Sequence, residues 1–177
     1  MAEASSDTHL HKQETGWIER RALVRHLRAH VRVNWFGDHG IAHWMRVRAN
    51  GLMLCRLNGA ESLVVELFAF FHDSRRINEH LDRGHGARGA ELALQLRGKY
   101  FDIPDAGMDK LVLACRTHSD GLSEGDLTVR TCWDADRLDL GRVGITPDPR
   151  RMSTPEARRR DVLKKANARS DAWVRRW

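Results

Sequence analysis

The spacing of apolar residues constrains this 177-residue chain more than any other feature. Apolar positions recur three and four apart nearly everywhere, and clean period-two alternation is scarce. The first pattern gathers side chains on one helix face, whereas a half-buried strand needs the second. The predicted fold class is therefore all-α, with seven helices near residues 16–33, 38–57, 60–73, 85–98, 106–118, 127–142 and 155–176. Asp38, Pro104–Asp105 and Thr154–Pro155 supply start signals, because a side-chain oxygen can accept from free first-turn N–H groups and proline suits the first turn. Gly98 suits a helix stop, and Asn50–Gly51 weakens the continuity of the second helix. Met45, Leu52, Met53 and Leu54 read as plain helix core.

A mass of 20.3 kDa suits one domain with a sizeable core. The expected organisation is a flexible segment 1–15, a helical body 16–145, and a loop with a basic helix, 146–177, docked on that body. The richest apolar stretch, Leu63 to Phe71, is too short for a membrane span and contains Glu66. Met1 to Gln13 is polar and lacks the apolar run of a secretory signal. Cys55, Cys115 and Cys132 show no CxxC spacing, which argues against a disulfide scaffold or thiolate zinc site and for a cytoplasmic setting. The net charge of +6 is concentrated at the carboxyl end: Arg150 to Trp177 holds ten Lys and Arg against three Asp and Glu. The rest is nearly neutral, so a uniformly basic nucleic-acid surface is not indicated.

The residues able to carry chemistry are histidines and aspartates. Phe68-Ala69-Phe70-Phe71 runs into His72-Asp73, so an apolar helix ends by presenting imidazole and carboxylate side by side. Consecutive helical side chains reach one point only off the helix end or in a cavity, and a divalent metal ion is such a point. The competing reading is a simple side-chain hydrogen bond. Upstream, His39 and His43 stand four apart on one helix face. Downstream, Asp134, Asp136 and Asp139 interrupt an apolar pattern, with Asp136 placed in a buried stripe with Leu140 and Val143. A carboxylate there needs a cation, or Arg137, as partner.

These residues resemble the pattern of the HD-domain metal-dependent phosphohydrolase superfamily: an early helical His (His43), a His-Asp doublet (His72-Asp73) and a distant Asp (Asp136). The resemblance covers about residues 35–145 and implies a compact HD-domain-like bundle with these four side chains around one metal. Superfamily members with binuclear sites add two histidines between the doublet and the last Asp, and the doublet Asp bridges the ions. His85 and His118 match that addition, so Asp73, His85 and His118 would hold a second ion. The alternative for both is capping of helix ends or a solvated loop position. One or two divalent transition metal ions are implied; Mn, Fe, Zn, Co and Ni are not distinguished. Gly84 to Gly89 also satisfies GxGxxG, but no buried strand precedes it, and the dinucleotide reading is discarded. His39 and His80 are expected near the site as supporting groups or substrate contacts.

The implied activity is hydrolysis of a small phosphate ester or phosphodiester, a nucleotide among the candidates, by a metal-activated hydroxide. Asp73 is central to it, and Arg75, Arg76 or Arg88 would neutralise the phosphoryl group. Each arginine could instead be an exposed loop cation paired with Glu79 or Asp82. The doublet is followed by Ser74-Arg75-Arg76-Ile77, which lacks the lysine of the cyclic-dinucleotide phosphodiesterases, the Glu-Asp pair of the guanosine-tetraphosphate hydrolases and the Glu of some deoxynucleotide phosphatases. Two alternatives remain: a di-iron oxygenase on the same ligand set, and a nucleic-acid-binding module using Arg158-Arg159-Arg160, Lys164-Lys165, Arg169 and Arg175-Arg176. Against the second, Val162, Leu163, Ala166, Trp173, Val174 and Trp177 form the apolar stripe of a helix that docks on the body. Trp44 and Trp133 read as core or as pocket lining.

Overall fold

A computed structural model describes residues 16–174, with side chains for 16–172. The expected flexible segment 1–15 lies outside the described residues. So do Arg175, Arg176 and Trp177, and the side chains of Trp173 and Val174. The chain is all-α: α1 (Arg20–His30), α2 (Ile41–Asn58), α3 (Ser62–Phe71), α4 (His85–Leu96), α5 (Asp105–Thr117), α6 (Leu127–Arg137) and α7 (Arg160–Val174), with short 3-10 turns at Leu140–Val143 and Pro149–Arg151. A two-residue antiparallel ribbon joins β1 (Trp17–Ile18) to β2 (Phe101–Asp102). No helix among the described residues is long and apolar enough to cross a membrane.

α3 is the central element. Every residue from Val64 to Phe71 is buried, the behaviour of a helix that is apolar on all sides and enclosed by neighbours. It packs against α2, α4, α5 and α6. α2 runs unbroken through Asn50–Gly51, and the glycine is there for contact: a Cβ on Gly51 would stand 2.4 Å from Val65 Cγ1. Asn50 uses its side chain to receive Arg169 Nη1–H at 2.7 Å, so a pair that reads as a breaker instead fastens three helices.

Three boundaries differ from the sequence expectation. The first helix begins at Arg20, because Trp17 and Ile18 are extended and paired with Phe101 and Asp102, a register two residues long that periodicity does not reveal. α6 ends at Arg137; Leu140 and Val143 fall in the 3-10 turn, and Val143 is 41% exposed, so the stripe proposed for Asp136 does not exist. Thr154–Pro155 opens a turn, not the last helix. The buried Asp134 carboxylate accepts from Ser153 N–H, Thr154 N–H and the Thr154 hydroxyl, all at 2.7 Å, and the start of α7 is delayed to Arg160.

α7 packs Val162 and Ala166 against Leu54, Leu138, Met152 and Ala157 in a small second core. Burying one such valine is worth about 1.5–3 kcal/mol. Arg159, Arg160, Lys164 and Lys165 lie on the exposed side.

Candidate metal centre

α3 delivers the doublet through a tight turn at its end. His72 N–H still bonds to Phe68 O, while Ser74 N–H and Arg76 N–H bond back to Phe71 O and Asp73 O. The turn places both His72 and Asp73 in the interior, at 0% and 2% exposure. The first turn of α4 and the end of α5 approach closely: a Cβ on Gly86 would lie 2.1 Å from Cys115 O. Only glycine fits there, and the approach sets His85 beside His118.

Each of four histidines has its Nδ1 committed to an acceptor. His43 Nδ1–H donates to Asp139 Oδ2 at 2.8 Å, His72 to Phe68 O at 3.1 Å, His85 to Asp82 O at 2.6 Å and His118 to Cys115 O at 2.7 Å. With the proton on Nδ1, each Nε2 carries a lone pair. Those lone pairs face one another: His43 Nε2 and His72 Nε2 are 3.0 Å apart, and His85 Nε2 and His118 Nε2 are 2.8 Å apart. Two lone pairs at such distances need a positive charge between them.

The carboxylates complete two donor sets. Asp73 Oδ2 lies 3.4 Å from His43 Nε2 and 3.6 Å from His72 Nε2, while its Oδ1 lies 3.2 Å from His85 Nε2 and 3.8 Å from His118 Nε2. One carboxylate thus faces both sets, an oxygen to each. Asp136 adds Oδ1 to the first at 3.4 Å from His43 Nε2 and 3.9 Å from His72 Nε2. Ligand atoms about 2.1 Å from an ion stand roughly 3.0 Å apart at right angles and roughly 3.4 Å apart at the tetrahedral angle. The spacings match a divalent ion in each set, and nitrogen with carboxylate oxygen suits a first-row transition metal.

The electrostatics point the same way. Burial and Arg142 oppose the His43 imidazolium, yet hydrogen bonds with Asp136, Asp139 and Asp73 raise its pKa to about 9. Burial drives His72 down to about 3. Burial also opposes the Asp73 and Asp136 carboxylates, but the surrounding imidazoles hold both well below the ordinary carboxylate range. The cluster demands positive charge, and a proton on His43 is the substitute when no ion supplies it.

The arginines separate. Arg76 is 8% exposed, and its Nη1 lies 3.3 Å from both Asp73 Oδ1 and His85 Nε2. Arg76 Nη2–H donates to His80 O at 2.6 Å, which fixes the guanidinium. Arg88 instead grips both oxygens of Asp82 at 2.6 Å and sends Nε–H to Arg75 O. Arg75 reaches toward His30 O at 3.5 Å, away from the donor sets. His39 Nδ1–H donates to Glu79 Oε2 at 2.5 Å, and its ring centre is 6.3 Å from that of His43. His80 is exposed and meets Arg76 only through its carbonyl. The indoles of Trp44 and Trp133 are core groups whose N–H bonds end on His39 O and Ala114 O.

Sequence reasoning missed the support behind His43. Asp139 is fully buried and also receives Arg46 Nε–H at 2.6 Å and the Ser170 hydroxyl at 2.8 Å. Its signal was present: Asp139 follows Asp136 by three positions and so lies on the same side of the chain. Asp134, the third carboxylate, serves the 153–154 turn and lies 3.5 Å from Arg137 Nη1.

The chain is similar in structure to a predicted HD superfamily hydrolase from an uncultured Thermotogales bacterium: sequence identity is 23%, the match covers 88% of this chain and 89% of that one, and the TM-score is 0.60. The likeness establishes a shared fold, and two buried groups, His43–His72–Asp73 and Asp73–His85–His118, have the spacing to hold a metal ion. No family model matches the chain, and no curated protein does so.

Proposed function

We propose that the chain is a metal-dependent phosphohydrolase acting on a small phosphate ester or phosphodiester. The observation that carries this reading is the pair of donor sets, His43–His72–Asp136 and His85–His118, that share Asp73. Divalent ions held there would lower the pKa of water and polarise phosphoryl oxygens.

The chain's own residues do the rest. Asp139 and three backbone carbonyls keep the histidine protons on Nδ1, so every Nε2 is presented as a ligand atom. Arg76, tethered by His80 O beside Asp73, offers fixed positive charge to a phosphoryl oxygen as charge develops. Arg75 and Arg88 act on the shape of the loop through the Asp82 pair. The exclusion of solvent from His43, His72 and Asp73 strengthens each of these interactions. Three buried free thiols support a reducing, cytoplasmic setting.

The test is a panel of phosphate esters assayed with Mn, Fe, Zn, Co or Ni added to chelator-stripped protein, alongside Asp73→Ala. Hydrolysis with at least one metal, abolished in the variant, supports the reading. An Asp73→Ala protein that keeps its metal content and its rate would refute it. Oxygen uptake by iron-loaded protein, with no hydrolysis under any metal, would move the assignment to a di-iron oxygenase.

A further inference from the structure

We infer that the substrate carries a second anionic group and that the site does not select it through an aromatic base. This rests on the phosphohydrolase reading and concerns the cavity lined by His85, one member of the second donor set. That cavity has a volume of about 540 Å³, and its wall includes Arg76, His80, Arg83, His85, Arg116 and Ser119. The volume is that of a small-molecule pocket.

The charge in the cavity exceeds what one phosphoryl group needs. Arg76 already stands at the inner end, against Asp73 and His85. Arg83 and Arg116 are exposed, and neither guanidinium has a hydrogen-bond or ion-pair partner among the described residues. Asp82, also in the wall, is neutralised by Arg88 at 2.6 Å and Arg76 is paired with Asp73, which leaves Arg83 and Arg116 against the single unpaired acid of the wall, Asp120. Gly84 and Gly86 belong to the wall too, and Gly84 caps α4 without any side-chain hydrogen bond, so first-turn N–H groups add to the positive potential. Bidentate guanidinium contacts favour phosphate-like groups.

The lining is equally informative about the organic part. It contains no Phe, Tyr or Trp; its one aromatic ring apart from the donor His85, that of His80, is exposed, and its one large apolar residue, Leu81, is 78% exposed. Selection of a nucleobase normally uses an enclosed stacking face, which an exposed imidazole or guanidinium does not supply. The chemistry on offer recognises charge at two places and leaves the remainder of the molecule largely unread.

The test measures binding, not turnover, on manganese-loaded protein whose metal content is determined on the same samples. Propylphosphonate, benzylphosphonate and a propane bisphosphonate serve as non-hydrolysable probes in calorimetric titrations. The bisphosphonate should bind about tenfold tighter than propylphosphonate, and the advantage should fall below about threefold in Arg83→Gln/Arg116→Gln. Benzylphosphonate should bind within about threefold of propylphosphonate. The inference is overturned if wild type shows no preference for the second phosphonate, if the double variant keeps it, or if the benzyl group gains as much. Protein that retains no manganese is loaded with Fe, Zn, Co or Ni instead; protein that retains none of the five, or binds none of the three probes, would sink the phosphohydrolase reading itself. Protein that holds metal and propylphosphonate without the preference sinks only the present inference.

Discussion

Asp139 accepts the Nδ1–H of His43 at 2.8 Å with one oxygen and uses the other to hold Arg46 and Ser170. The carboxylate fixes which nitrogen of His43 faces Asp73 and Asp136, and an amide in its place would not do so reliably. Asp139→Asn should weaken metal binding about 10–100-fold, with Ser170→Ala giving a smaller loss in the same direction. Chelator-competition titrations on both variants measure this.

The shared carboxylate makes a stoichiometric prediction. Elemental analysis of wild type should give two ions per chain, His118→Ala one, and Asp73→Ala close to none, since Asp73 contributes an oxygen to each set. One ion in wild type and in His118→Ala alike would reduce the centre to a mononuclear site.

Gly86→Ala tests how the second set is assembled. The added Cβ would lie 2.1 Å from the Cys115 carbonyl, a backbone atom that cannot rotate away. We expect a loss of stability of about 1–3 kcal/mol by denaturant titration. The second ion should be lost while the first is kept.

The acid limb of stability should depend on Glu66. This buried carboxylate accepts Arg20 Nε–H and Arg48 Nε–H, each at 2.6 Å. Burial opposes its ionisation, but the two arginines prevail and hold its pKa below the ordinary value. A depressed folded pKa gives stabilisation that is complete above the unfolded value and is lost as pH falls through the folded one. Glu66→Gln should cost about 1–2 kcal/mol at neutral pH and flatten the stability profile below about pH 4.5, as read by urea midpoints across pH.

Burial raises the pKa of the Cys55 thiol to about 11 and pushes those of Cys115 and Cys132 higher. Thiolate is the reactive form, so a disulfide-exchange reagent should find almost no titratable thiol in native protein and all three after denaturation.

The helices were legible because amphipathic spacing is written along the chain, and the doublet was legible because Phe68–Phe71 drive a helix end into the interior. One of the two grounds for singling out Asp136 fails: Leu140 and Val143 form no buried stripe with it, whereas the distant Asp of the resembled pattern needs no such stripe, and its Oδ1 stands 3.4 Å from His43 Nε2 and 3.9 Å from His72 Nε2. Arg75, Arg76 and Arg88 could not be told apart in sequence, since all three are cations close to the doublet. What separates them is the three-dimensional position of Asp82, which claims Arg88. The Trp17–Ile18 ribbon was hidden because its partner lies more than eighty residues away and spans only two positions. Likewise Ser170 and Asp139 are 31 residues apart, and neither marks the other.

That last contact links the basic carboxyl-terminal helix to the candidate metal centre. α7 is the last of the described elements, yet its Ser170 closes the surroundings of the carboxylate that orients His43. Loosening α7 should therefore loosen Asp139, and with it the direction in which His43 presents its Nε2.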